Sequence, residues 1–367
     1  MAVRVRHAGR YREIAMALVR HGFGYMVEEL GLVHILTLPR KWLTREEPTT
    51  KTLGERIRLL LEDLGPAFIK LGQLASTRAD LIPASIVQEL TKLQDQVPPF
   101  SHETAKGILE QELNMPLHDM VSWFEDTPLA AASIGQVHLA KLHSGEEVAI
   151  KVQRPGVDRI IRRDLDILRD FVGLAAKRWV WVEQYQLPQM VEELGKSLIH
   201  ELDYSHEARN NEKIAMHFPE DRDVHIPKVF WEFTASRILT MEYVEGVKLS
   251  DREELIRQGY DLPEIARKLV NSMFQQIFMD GIFHADPHPG NLMVMESGKL
   301  AYMDFGMVGR LSEEMKGQLA ALIIALMRKN TDAMIRAIEK LGQLDEDADI
   351  LGMRRDLNLL REEYGDV

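Results

Sequence analysis

The stretch FHADPHPGNLMV, residues 283–294, decides the fold, because it crowds His284, Asp286, His288 and Asn291 around two prolines and a glycine. Two chemistries use such a set. In the first, His284 and His288 bind a metal from one helix face, as i, i+4 histidine pairs do in zinc proteases. Pro287 and Pro289 oppose that reading, since each lacks a backbone donor and restricts its predecessor, so no regular helix is expected here. In the second, Asp286 and Asn291 end a D-x-x-x-x-N loop that performs phosphoryl transfer. That chemistry needs an orienting carboxylate, a metal-binding amide and a second metal carboxylate on a nearby strand end.

Downstream, YMDFG (302–306) supplies Asp304 within a D-F-G tripeptide. The intervening LMVMESGKLAYM reads as a β-hairpin turning at Ser297-Gly298, which would return Asp304 beside Asn291 as a two-ligand Mg²⁺ site. Upstream, VAIK (148–151) ends an apolar strand on Lys151, whose ammonium is expected to grip phosphates and pair with a helix glutamate. The helix SLIHELDYSHEARNNEKI offers Glu201, Asp203 and Glu207; Glu207 is the favoured partner, with Glu201 and Asp203 as active-site carboxylates. A solvated acidic helix face is the plainer alternative. MEYVEG (241–246) closes a strand with a linker, so Met241, Glu242, Tyr243 and Val244 are expected to line an adenine slot through backbone groups. Each piece is weak alone; their order and spacing together point to a kinase-like enzyme.

Bulk properties agree. With 45 basic and 57 acidic side chains the net charge is −12, which opposes wholesale nucleic-acid binding. There is no cysteine, so disulfides, thiolate nucleophiles and cysteine metal sites are excluded. The N-terminus shows no signal-peptide pattern, and LAALIIALM (319–327) is about half the length of a membrane span. An intracellular protein, soluble or peripheral, is expected. The basic start (Arg4, Arg6, Arg10, Arg12 and Arg20 against Glu13) could rest on an anionic membrane surface or form a solvated, docked helix.

Along the chain, residues 1–115 read as helical, with an interruption at Gly65-Pro66 and a capping signature at Ser101. AASIGQVHLAKLHSGEEVAIKVQ reads as a hairpin with Ser-Gly in its turn, 157–217 as helical, and 226–246 as two strands turning at TASR. Helices dominate from Leu262 onward. The expected class is α+β: a helical extension (1–115), a small sheet lobe with inserted helices (116–246) and a mainly helical lobe (247–367).

At this point the sequence resembles the UbiB (AarF) family of atypical protein-kinase-like proteins. KLGQ (70–73), ELD (201–203), AAASIGQVH (130–138) and HADPHPGN (284–291) are similar to that family's K-x-G-Q, E-x-D, alanine-rich nucleotide loop and catalytic loop. The resemblance spans about residues 50–330. It implies a two-lobed kinase-like fold binding ATP or ADP with Mg²⁺. Ala130, Ala131, Ala132, Ser133, Ile134, Gly135, Val137 and Ala149 would then surround the nucleotide. Three alanines stand where kinases use glycine, so the loop is expected to hold nucleotide in a less mobile pose. No A-P-E follows D-F-G. The resemblance further implies that the extension folds over the active site. Lys70 and Gln73 would form a plug of paired charges there with Glu201 and Asp203, favouring ATP hydrolysis or a small, lipid-like substrate over peptides. It also implies a role in isoprenoid-quinone lipid metabolism, a lipid or quinone-precursor ligand, and a cytoplasmic place peripheral to an inner membrane. Many members carry C-terminal transmembrane helices, so a truncated chain or missing anchor is expected.

In this reading Lys151 grips phosphates, Asn291 and Asp304 hold metal, and Asp286 orients or deprotonates water or a hydroxyl. His284 braces the loop. Three alternatives remain: a small-molecule phosphotransferase of the aminoglycoside/choline-kinase kind, a catalytically silent nucleotide-responsive scaffold, and a peptide kinase, which the missing A-P-E disfavours.

Overall fold

A computed structural model describes residues 8–30, 51–76, 82–93, 97–184, 186–218, 223–342 and 349–364. Arg4 and Arg6 of the basic start lie outside them. The described strands are β1 (Val121–Phe124), β2 (Ala130–Ala131), β3 (Gly135–Leu142), β4 (Glu147–Gln153), β5 (Val224–His225), β6 (Ile238–Glu242), β7 (Val247–Lys248), β8 (Ile282–His284), β9 (Leu292–Val294), β10 (Leu300–Tyr302) and β11 (Val308–Arg310). The chain forms two compact units, Met1–His206 with Val229–Tyr243, and Glu207–Lys228 with Val244–Val367. The helical extension thus belongs to the same compact unit as the first sheet.

That sheet runs β1-β3-β4-β6 with β2 on β3, all antiparallel. Strand period sorts β4 into two faces: Val148, Ile150 and Val152 are sealed in a core with Ala105, Ile108 and Leu109 of the helix His102–Leu113. Ala149, Lys151 and Gln153 therefore take the opposite face. Ser101 caps the core helix by accepting the Thr104 N–H, as its capping signature predicts. The β3–β4 connection turns through Gly145 at φ +104°, where a side chain would be strained. In the extension, Thr52 and Glu55 form a reciprocal capping box at the start of Leu53–Leu64. Gly65, at φ +91°, ends that helix and Pro66 begins the next, Pro66–Ser76. Arg10 ties the first helix, Ala8–Arg20, to the long helix Val157–Ala176 by a bidentate pair with Asp164.

Two expectations for this unit need correction. The run 197–214 is not one helix: Leu187–Glu201 stops and Tyr204–Ala215 starts afresh, because the Asp203 carboxylate accepts the Ser205 N–H and hydroxyl as a local cap. Nor is 226–246 a pair of strands. Only β6 forms; Trp231–Phe233 is a 3₁₀ turn and Val229 makes a single bridge to Met241. Thr234 and Thr240 side chains bond neighbouring backbone groups there and replace the strand ladder.

In the second unit the sheet order is β5-β10-β9-β7, with β8 and β11 as a separate antiparallel pair. Its core joins Ile214 and Phe218 to Leu292, Leu300, Tyr302 and Phe305. The helix Leu262–Phe274 continues into a π-helical turn, Gln275–Asp280, stopped by Gly281 at φ +66°. Helices Glu313–Met327, Thr331–Leu341 and Ile350–Tyr364 follow. Among the described residues no helix is long and apolar enough to cross a membrane.

Candidate functional site

The second unit assembles the loop that opened the sequence reading. β9 and β10 form an antiparallel hairpin in the register Leu292↔Tyr302 and Val294↔Leu300, turning through Gly298 at φ +76°. This register sets Asn291 and Asp304 at the same end, and the Met303 N–H donates to the Asn291 carbonyl at 2.9 Å. The hairpin expected from LMVMESGKLAYM is therefore present. Asn291 Nδ2 donates to Asp286 Oδ2 at 3.1 Å and to the Asp286 carbonyl at 3.3 Å. That bonding turns the amide oxygen away from Asp286. Asp304 Oδ1 accepts the Gly306 N–H at 2.8 Å.

His284 links the two acidic positions. It is 1 % exposed. Its Nδ1 accepts the Asp286 N–H at 3.2 Å, so the ring proton sits on Nε2 and is donated to the Asp304 carbonyl. Burial holds its pKa below the ordinary histidine range, which keeps this neutral tautomer. The two prolines let the chain pass through without helix: Pro289–Asn291 is a single 3₁₀ turn, and His288 Nδ1 accepts the Gly290 N–H at 3.1 Å. His288 therefore braces its own turn, and without a regular helix here the two histidines do not share a helix face. Among the described residues no group of three or more His, Cys, Asp or Glu side chains is placed to hold a metal ion. Asn291 and Asp304 offer oxygen donors, the kind a hard cation such as Mg²⁺ takes, with the Asn291 amide oxygen already oriented by the bond its nitrogen makes to Asp286. Those residues fit the ion.

The first unit carries the other predicted groups. Lys151, opposite Val137 on β3 and Leu239 on β6, sets its ammonium 5.0 Å from the Tyr204 ring centroid. The alanine-rich loop is a narrow hairpin. Ala130 and Ala131 pair with Val137 and Gln136, and the Ala132 N–H donates to the Gly135 carbonyl at 2.7 Å. Ser133 and Ile134 are buried at its tip. Arg154 fastens that tip, donating from its backbone to the Ile134 carbonyl and from its guanidinium to the Ala132 carbonyl. Gly135 is required by close approach: a Cβ would lie 2.6 Å from the Val152 carbonyl oxygen. Ala149 pairs with Met241, Glu242 with Val148, and the Tyr243 N–H donates to the Glu147 carbonyl. Lys70 Nζ lies 3.5 Å from Glu201, and Gln73 donates to the Leu93 carbonyl. Asp203 caps the next helix and lies 3.7 Å from His206.

Val244 and Glu207 are buried residues of the second unit. Sequence reasoning missed Tyr204 and Arg154. Tyr204 directly follows ELD, but nothing in an aromatic after an acidic pair marks it as the face beneath a lysine. Arg154 closes the VAIK strand, and only the β3–β4 register shows which carbonyls it reaches.

A two-part kinase-like molecule, with a lysine-bearing antiparallel sheet and a D-x-x-x-x-N loop tied to a D-F-G aspartate, is the class these features define. The family model "ABC1 atypical kinase-like domain" matches residues 92–338, and the chain belongs to that family. It is 39% identical over 318 residues to "Protein ACTIVITY OF BC1 COMPLEX KINASE 7, chloroplastic" of Arabidopsis thaliana, covering 86% of this chain and 45% of that protein. It is 38% identical over 281 residues to "Probable protein kinase UbiB" of Marinobacter nauticus, covering 76% and 51%. A solved structure of Rv3197 with erythromycin, from Mycobacterium tuberculosis, is similar with a TM-score of 0.58 at 29% identity, covering 84% of this chain and 77% of that one. The chain spans about half the length of the curated relatives it matches.

Proposed function

We propose that this chain binds ATP or ADP with Mg²⁺ and transfers a phosphoryl group to water or a small hydroxyl-bearing molecule. The observation that carries the reading is one neutral His284 bracing both Asp286 and Asp304, with Asn291 holding Asp286 in turn. Lys151 neutralises phosphate charge, and the narrow alanine loop, with Glu242, Tyr243 and Val244, receives the nucleotide. Asn291 and Asp304 hold the ion, and Glu207 supports the phosphate-binding groups. When bound, magnesium would neutralise charge developing on the phosphates. Asp286 orients the acceptor and takes its proton as the new oxygen–phosphorus bond forms and the bond to the leaving nucleotide breaks. Positioning and charge neutralisation then supply most of the rate.

The pairing of Lys70 with Glu201 supports a plug that keeps peptides out. Kinship with a UbiB protein supports a role in isoprenoid-quinone lipid metabolism at a membrane surface, with a lipid or quinone precursor as ligand. Nucleotide binding and turnover, with and without lipid vesicles, test the reading. Asp304→Asn is expected to weaken Mg-nucleotide binding, and Asp286→Asn to keep binding and lose turnover. Wild-type turnover in both variants would sink the enzyme and leave the silent nucleotide-responsive scaffold.

A further inference from the structure

The π-helical turn Gln275–Asp280 packs against β8 and carries Gln276, 1 % exposed, into the interior. A π turn holds one more residue than an α turn, and such insertions recur where a side chain must be re-aimed. What Gln276 meets there is specific. In β8 the pairing His284↔Val308, with the Ala285 N–H donating to the Met307 carbonyl, directs the His284 N–H away from β11. No ladder bond is available to that donor on its buried side. Gln276 Oε1 accepts it at 2.8 Å. The other end of the same amide is also held: Gln276 Nε2 donates to the Tyr302 hydroxyl at 3.3 Å, and that hydroxyl lies 2.6 Å from Ser272 Oγ. Which end of the amide faces His284 is thereby fixed by a tyrosine and a serine from two other elements.

We infer that Gln276 is a positioning residue for phosphoryl transfer: it pins the backbone of His284, and through that imidazole the relative placement of Asp286 and Asp304. The inference rests on the proposed function, but its structural half does not. Left without its acceptor, the buried His284 donor favours any shift of β8 and the ring that finds it a partner. Such a shift matters because the carboxylate and the metal aspartate act only in a fixed geometry.

The experiment compares Gln276→Met, which removes the acceptor at similar volume, with Gln276→Glu, which keeps one, and Tyr302→Phe, which frees the amide to rotate. Two readouts are taken on the full chain: hydrogen exchange of the His284 amide with ¹⁵N shifts of its ring, and nucleotide turnover. In Gln276→Met the amide should exchange about tenfold faster or more while the rest of the fold keeps its protection, and kcat should fall about tenfold with nucleotide KM little changed. Gln276→Glu should restore most of both, and Tyr302→Phe should show a weaker form of the same split. If Gln276→Met does not fold, Tyr302→Phe decides alone. Unchanged His284 protection and tautomer would overturn the inference, as would a loss confined to KM. If wild type turns over no nucleotide, the proposed function fails, while the exchange result still judges what Gln276 holds.

Discussion

Asn291 holds Asp286 twice with one amide nitrogen, at the carboxylate (3.1 Å) and at the backbone carbonyl (3.3 Å). A single side chain thus fixes the Asp286 carboxylate and turns its own oxygen away from it, as the proposed metal role requires. Asn291→Ala should therefore lower kcat about a hundredfold and raise the Mg²⁺ concentration for half-maximal turnover. A magnesium titration of turnover checks both. A loss of kcat at unchanged Mg²⁺ demand would mean that Asn291 serves Asp286 only.

Burial holds the imidazoles of His138 and His284 below the ordinary histidine range. The folded chain disfavours their protonation, so the unfolded chain binds the proton more readily. Their stabilisation is complete above pH about 6.5 and is lost as pH falls below it, with a slope of up to about 1.4 kcal/mol per pH unit for each site. Thermal melts between pH 7.5 and 5 should fall less steeply in His138→Gln and in His284→Gln than in wild type. Parallel profiles would remove both histidines from the acid response.

The Arg10–Asp164 pair should be costly to break from one side only. The Asp164 side chain is fully buried and receives Arg10 at 3.0 and 2.8 Å, with Arg163 at 3.1 Å as a second donor. Arg10→Met leaves that carboxylate half-compensated, at about 2–3 kcal/mol, below the usual cost because Arg163 remains. The double variant Arg10→Met, Asp164→Leu should recover most of the loss. Urea denaturation of both measures it.

Gly135→Ala should damage nucleotide binding more than a loop alanine change does. Its new methyl would meet the Val152 carbonyl, which a backbone-paired strand cannot move aside. Nucleotide KM is expected to rise about tenfold or more, whereas Ala131→Gly should alter the preference between ATP and ADP. Equal behaviour of the two in a binding titration would deny any special constraint at Gly135.

The Lys70–Glu201 pair is a quarter exposed on each side and spans 3.5 Å. Screening limits its contribution to below about 1 kcal/mol, so Lys70→Gln should leave the melting temperature nearly unchanged. Phosphoryl transfer to a generic protein acceptor should rise if the pair serves as a plug, and radiolabel transfer reads it directly.

Local chemistry was legible in one dimension. The two prolines of HADPHPG excluded a helix, Gly298 placed a turn, and the distance from Asn291 to Asp304 matched one hairpin. VAIK announced a buried strand carrying a lysine, though that strand runs on to Gln153 rather than ending at Lys151, and Ser101 and Gly65 marked helix ends. These are short-range effects, set by donors, φ limits and side-chain period within a few residues. Asp203 was misread as mid-helix, because whether its carboxylate caps or continues a helix depends on a competition between two local bond patterns of similar strength. The aim of the Gln276 amide, the tyrosine face under Lys151 and the arginine that fastens the alanine loop were invisible. Each depends on which strand lies alongside which, and on where a π turn inserts its extra residue. Pairing and burial decide these, since only packing reveals which donors would be left without a partner.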